Sequence, residues 1–333
     1  MAKSTLTAYA LADESVLAAR AAWLHFVGGM TQSEVAARLG ISTSRAHRAI
    51  ARAQSLGLVH VTVDASAVAP CVALENALCA EYGLTFCQVA MELPETGSIP
   101  LRALGALGGD WLGKLLDAGA HRLVGVSHGR TIAAAVEAMA NRRVSGTAFV
   151  SLLGGLTRSL AANPYDVIHR LAQKTGAEAY LMPVPLFADS AADKRVMMSQ
   201  SIMREAVARL QDATLAIVGI GDLETSGGSL AVAGEGAAPR EQLIETGAVA
   251  ELLGQFVDAD GAKVAAPVVS QPMAMPLDDL RGREVVALAG GDSKTDAIRA
   301  VLKSGLLTGL LTDEATARRL VGVDGGADAV AAQ

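Results

Sequence analysis

At 333 residues, the chain is long enough for two domains that each bury a full hydrophobic core. Its 51% hydrophobic and 19% charged residues exclude a disordered chain, and no uninterrupted apolar run reaches membrane length. A net charge of −6 argues at first against a nucleic-acid partner, but residues 1–64 hold six Lys/Arg against four acids, a net of +2, so the remainder carries −8.

Residues 1–12 read as loose, and MAKSTLTAYALADES lacks the continuous apolar core of a secretory signal, so a cytoplasmic protein is expected. Asp13–Val27 predicts a helix whose apolar Val16, Leu17, Trp23, Leu24 and Val27 pack on the next two helices, with Gly28-Gly29 as its stop. The next stretch, Thr31–Val63, reads as two short helices and a tail. Thr31 and Glu34 fit a capping box, and Val35, Ala36 and Leu39 keep helical spacing. Gly40 suits a left-handed helix end, Ile41 plugs the turn, and Ser42 is placed to cap the second helix.

On that second helix Ala46, Ile50, Ala53 and Leu56 can face inward, which leaves a polar, basic outer side. Such a pair describes a helix-turn-helix whose second helix enters the DNA major groove. The candidate DNA-contacting residues are Gln32, Ser42, Thr43, Ser44, Arg45, His47, Arg48 and Arg52, with Arg52 expected on phosphate. Leu58–Val63 alternates like a strand and predicts a wing. The competing reading is a helical hairpin with a solvated basic face.

Asp64–Pro70 reads as a linker and Val72–Tyr82 as a helix closed by Gly83. From there strands and helices alternate. Strands are predicted at Thr85–Met91, Arg122–Val126, Thr147–Leu153, Ala179–Met182, Leu215–Ile220, Val285–Ala289 and Gly309–Thr312. Helices are predicted at Pro100–Ala118, Thr131–Ala140, Pro164–Thr175, Ala191–Leu210 and Lys294–Ser304. That alternation implies a parallel sheet covered on both faces, a Rossmann-like α/β domain. The domains are drawn at 1–64, a helix-turn-helix, and 65–322, an α/β effector domain, with a disordered tail at 323–333. Cys71, Cys79 and Cys87 do not pair evenly and read as reduced, buried thiols, and the six histidines match no ligand spacing, so neither metal nor cofactor is expected.

Ligands of such sheets bind beyond the strands' carboxyl ends. Four glycine-bearing turns lie there: Ser127-His128-Gly129-Arg130-Thr131, Gly154-Gly155, Gly219–Asp222 and Gly290–Lys294. Gly125-Val126-Ser127-His128-Gly129 also matches the G-x-S-x-G elbow of hydrolases. No histidine follows the candidate acids Asp189, Asp222 or Asp258, so the usual triad order cannot be built and no catalytic residue is assigned. The loop GIGDLETSGG lacks the third glycine of a dinucleotide fingerprint and reads equally as a tight turn.

With these motifs in place, the chain resembles the SorC family of sugar-responsive bacterial regulators. MTQSEVAARLGISTSRAHRAIARAQSLGLVHV resembles the family's reading head. VGVSHGRTI, SLLGGL, LMPVPLF, GAVAELLGQFVDADG and VVALAGGDSKTDAIRAVLKSGLLTGLLTDEATARRL resemble its effector domain, from about Leu17 to Val321. The resemblance implies a sugar-phosphate isomerase or deaminase fold used for binding, a homo-oligomer (dimer or tetramer) and operator DNA as partner. It also implies an effector pocket lined by Ser127, His128, Gly129, Arg130, Thr131, Gly154, Gly155, Asp222, Glu251 and Lys294. Ser127-His128 replaces the family's usual glycine and aromatic, and Leu156 follows the glycines where phosphosugar binders favour hydroxyls, which tilts the effector toward a neutral sugar or polyol. Lys294 reads alternatively as a surface lysine, although positive charge in a helix's first turn opposes the dipole, and Glu251 as a solvated helix residue. An α/β enzyme, hydrolase or isomerase-like, carrying a DNA-binding head is the other functional class the sequence allows.

Overall fold

Capping chemistry places the first helices of the computed structural model. The Thr31 side chain accepts from the Glu34 N–H while Glu34 accepts from the Thr31 N–H at 2.7 Å, a complete capping box at the start of α2 (Gln32–Leu39). Gly40 ends that helix at φ 66°, and the Ser42 side chain accepts from the Arg45 N–H to open α3 (Thr43–Ser55). Helix α1 (Glu14–Ala22) packs behind them, so Leu17 and Ala21 meet Val35, Leu39, Ala46 and Ile50 in one small core. The expected helix to Val27 changes character at Trp23: Trp23–Val27 forms a π-helical turn, closed by Gly28 N–H donating to the Trp23 carbonyl. Within that turn Leu24 packs on the small core as expected, while Trp23 is 61% and Val27 69% exposed instead of packed.

Residues 14–59, 65–155, 167–223, 237–265 and 272–322 are described, and the chain divides into two units, Met1–Asp64 and Ala65–Gln333. Leu58 and Val59 form no strand, and the rest of the expected wing, like residues 1–12 and the tail from 323, lies outside the described residues. The expected linker is helix instead. α4 runs from Ala65 to Tyr82, since alanine-rich sequence favours helix and the exposed Pro70 forfeits one backbone bond without ending it.

The second unit is built on a seven-stranded, all-parallel sheet. Its strands are β1 (Phe86–Ala90), β2 (Leu123–Val126), β3 (Ala148–Gly155), β4 (Ala179–Pro185), β5 (Leu215–Val218), β10 (Glu284–Leu288) and β11 (Gly309–Asp313), in the order β1-β11-β10-β5-β2-β3-β4. Central strands are near-continuous runs of buried aliphatics, as both faces are covered. On one face α5 (Leu101–Ala118) crosses α6 (Arg130–Ala138) closely, since a Cβ at Gly108 would lie 2.7 Å from Ala135 Cβ. Along β4, Pro183 and Pro185 carry no N–H to offer a further strand, which suits this edge of the sheet.

Three elements depart from expectation. The long helix expected over Ala191–Leu210 is two, α8 (Ala191–Ser199) and α9 (Ser201–Asp212), broken at an extended Gln200. There Ser199 Oγ bonds the Val196 carbonyl, and the Gln200 carbonyl receives the Arg204 N–H, a local alternative to continued helix. A second, antiparallel sheet of β6 (Gly221–Asp222), β7 (Ala248–Leu252), β8 (Gln255–Asp258) and β9 (Lys263–Val264) was not legible, because strands of two to five residues carry too little alternation. A further helix, α12 (Glu314–Leu320), follows β11 and is capped by Asp313. Between them lie α7 (Ile168–Thr175), α10 (Ala237–Glu245) and α11 (Thr295–Lys303).

Candidate functional site

The outer face of α3 is set by the residues it buries. Ala46, Ala49, Ile50 and Ala53 point into the core, so at 3.6 residues per turn Ser44, Arg48, Ala51 and Ser55 lie opposite. Arg45 and Arg52 fall on one flank and His47 on the other. Arg48 Nε donates to the Ser44 carbonyl at 3.4 Å, and Arg45 Nη2 lies 3.1 Å from Glu14 Oε1. Thr43, Ser44, Arg45, His47, Arg48 and Arg52 are all exposed, while Gln32 at the start of α2 is half-buried. The Ser42 hydroxyl is already engaged with Arg45 N–H and Ser44 Oγ, so its first role is the cap. A face of basic and hydroxyl groups, broken only by Ala51 and without an acid on its own helix, suits phosphate and base-edge contact.

In the other unit the strand order reverses between β2 and β5, the position at which such sheets open a crevice. Ser127 stitches the two loops together there. Its N–H donates to the Ile217 carbonyl at 2.8 Å, and its Oγ accepts from the Gly219 N–H at 3.1 Å. Beside it opens a cleft of about 850 Å³, reaching from Ser127 and His128 across Gly154-Gly155 to α7 and the Leu181–Pro185 strand. Burial at the cleft floor pushes the His128 imidazole down to about 4.

A charged cluster lies at the ends of β5, β7 and β10. Lys294, only 9% exposed, donates from Nζ to the Ile220 carbonyl at 2.6 Å. Burial lowers its ammonium below the ordinary lysine range, Arg130 adds to that, and the carboxylates of Asp222 and Glu251 oppose it. Asp222 and Glu251 are themselves buried, on neighbouring antiparallel strands. The solvated-helix reading of Glu251 is therefore wrong: it sits on β7, where Oε1 accepts the Gly254 N–H of the following turn at 3.1 Å.

The predicted set thus falls into two groups, Ser127, His128, Gly154 and Gly155 on the cleft, and Arg130, Asp222, Glu251 and Lys294 in the cluster. Two members serve the fold. Thr131 is buried with its hydroxyl on the Leu288 carbonyl, and Gly129 opens α6 at φ 144°. Gly154 has a packing reason besides its place on the cleft, since a Cβ there would lie 2.5 Å from the Pro185 carbonyl. Ser151, His169, Arg170 and Gln173 also line the cleft and were missed, because nothing local distinguishes them from solvated helix and strand positions.

The hydrolase and dinucleotide readings lose their geometry. The Ser127 hydroxyl donates to the His128 carbonyl, and among the described residues no imidazole bonds it. Its backbone is ordinary, Leu253 being the non-glycine residue with positive φ among those described, so the strained elbow is absent. Gly221-Asp222 enters a strand instead of opening a helix, so this loop builds no dinucleotide cradle. No group of three or more His, Cys, Asp or Glu able to hold a metal occurs among the described residues, and no described helix is long and apolar enough to cross a membrane.

Two segments of the chain match known families. Residues 66–322 match the sugar-binding domain family, and residues 21–67 match the MarR family. The chain is 46% identical over 315 residues to the erythritol catabolism regulatory protein EryD of Brucella abortus (strain 2308), covering 95% of this chain and 99% of that one. It is 29% identical over 329 residues to the transcriptional regulator LsrR of Enterobacter sp. (strain 638), covering 97% and 98%. Its fold aligns with the full-length sorbitol operon regulator SorC from Klebsiella pneumoniae at a TM-score of 0.72 and 23% identity, covering 92% and 98%. A helix-turn-helix joined in one chain to a sugar-binding domain defines a sugar-responsive transcriptional regulator. The chain belongs to the SorC family of these regulators.

Proposed function

We propose that this regulator answers to a small neutral polyol of the erythritol class. α3 reads operator DNA, and the polyol occupies the cleft and the adjoining charged cluster. One observation carries the choice of a neutral ligand: in the cluster the cations Lys294 and Arg130 are matched in number by the buried carboxylates Asp222 and Glu251, and Arg170 on the cleft pairs with Glu137 at 3.5 Å, so the described residues offer no surplus positive charge for a phosphate. The name of the EryD relative, an erythritol catabolism regulator, points the same way. Carboxylates accept from hydroxyls and a lysine donates to them, so the cluster matches a chain of hydroxyl groups.

In this reading the domain boundary falls near residue 64, the protein acts in the cytoplasm, and none of the site residues is catalytic. A homo-oligomer, dimer or tetramer, sets pairs of reading heads on half-sites about 34 Å apart. The polyol changes operator affinity because it binds one arrangement of the oligomer better than another.

Thermal unfolding against erythritol, other polyols, free sugars and their phosphates tests the ligand, since binding only to the folded state raises stability. A shift with neutral tetritols is expected, and a shift confined to phosphates overturns the neutral assignment. Lys294→Ala is expected to weaken the polyol shift at least about tenfold in concentration while DNA binding persists. Arg48→Ala is expected to weaken operator binding with the melting curve unchanged, and full binding by that variant would remove Arg48 from the interface.

A further inference from the structure

The notch beside α3, about 330 Å³ in volume, is lined by Arg45, Arg48, Ala49, Arg52 and a single acid, Glu14. Glu14 comes from the first turn of α1, one helical turn before Leu17 and Ala18, which are buried in the cores shared with α3. Its carboxylate is thereby presented to the α3 flank and meets Arg45 Nη2 at 3.1 Å. Arg45 is the third residue of α3, in the turn where the helix dipole disfavours a cation, and Glu14 supplies the compensating charge. Among the described residues Arg48 and Arg52 have no carboxylate partner.

We propose that Glu14 is a specificity-determining residue for DNA reading, resting on the assignment of α3 as the reading helix. Both side chains of the pair are about half exposed, so it adds little to the stability of the fold. What it alters is the arginine. One carboxylate oxygen engages one of the five guanidinium donors and leaves the others for a base edge. Held in this way, Arg45 enters the groove with a set direction, and its charge is cancelled toward phosphates of any sequence. An unheld Arg45 would bind every duplex more tightly and discriminate less.

The experiment uses the full chain. A preferred duplex is selected from a randomised pool, and affinities for it and for a scrambled duplex are measured across a salt series. Wild type, Glu14→Gln, Glu14→Asp, Arg45→Ala and the Glu14→Gln/Arg45→Ala pair are compared, with thermal melting as the check on folding. Glu14→Gln is expected to tighten scrambled binding, steepen the salt slope by about one and narrow the preferred-to-scrambled ratio about tenfold. Glu14→Asp, which keeps the charge but loses reach, is expected to narrow the ratio without changing the slope. Without Arg45 the Gln change should leave the ratio where it was.

Equal tightening on both duplexes by Glu14→Gln would overturn the proposal and reduce Glu14 to a bulk charge. If Arg48→Ala lowers the ratio and Arg45→Ala does not, the proposal falls while DNA reading by α3 stands. A pool that yields no preferred duplex removes the reading of DNA itself, and the proposal with it.

Discussion

The DNA-reading unit displays its candidate groups on the outside of one short helix, whereas the effector unit gathers its own from loops far apart in the chain. Thr43, Arg45 and Arg48 are neighbours because they share α3, but Asp222, Glu251 and Lys294 are neighbours only because the fold brings strand ends together. Their cores differ in the same sense. The first unit buries mostly alanine around Leu17, Val35, Leu39 and Ile50, while the second buries long runs of leucine, isoleucine, valine, methionine and phenylalanine. A surface that must follow a groove can rest on a light, locally capped scaffold. A pocket holding buried charge needs a heavy one, because desolvated groups must be kept in register.

The contrast is sharpest in core truncation. Leu17→Ala removes the largest fully buried side chain of the small core and is expected to cost about 2–5 kcal/mol, enough to unfold the reading unit. Calorimetry should then show DNA binding lost and the effector unit's transition and polyol shift retained. If both units melt together, the comparison fails, and their stabilities are coupled.

Acid should act on the opposite unit. The His128 imidazole is held neutral in the fold, down to about 4, against its ordinary 6.5. Unfolded chains therefore bind this proton first, and the stability it confers is complete above pH about 6.5 and lost as pH falls toward about 4. The loss is up to about 3 kcal/mol, and His128→Asn should flatten it. An unaltered pH profile in that variant would place the acid sensitivity on other groups.

Thr31→Ala gives the smallest effect. Loss of the hydroxyl from the capping box is expected to cost about 1 kcal/mol, confined to the transition of the reading unit. A larger loss would mean that the α2 cap also supports the turn to α3.

Sequence revealed the two regions unequally, for the same reason. The capping box at Thr31 and Glu34, the left-handed Gly40 and the Ser42 cap involve residues within three or four positions of one another, so the reading unit was legible almost throughout. The π-helical turn at Trp23 was not, because apolar spacing alone cannot tell a packed face from one turned outward. In the effector unit each glycine loop was visible as a loop, but neither its partner nor its job was. Thr131 stood among the candidate ligand groups until the Leu288 carbonyl claimed its hydroxyl. His169, Arg170 and Gln173 looked like an ordinary helix surface until the cleft formed beside them.

From its sequence alone, this protein's class was determined: a capped two-helix reader followed by alternating strands and helices, with a family's motifs in order. Caps, period and turn residues act over a few positions, and the chain states them directly. Tertiary structure decided which polar groups remain available to a ligand. The gathering of Lys294, Asp222 and Glu251 into one buried cluster, the stitching of Ser127 to Gly219 and the contact of Glu14 with Arg45 all bring together residues distant in sequence. Burial and electrostatic strength arise only once those distances close, because both depend on what surrounds a group in space and not on what precedes it in the chain.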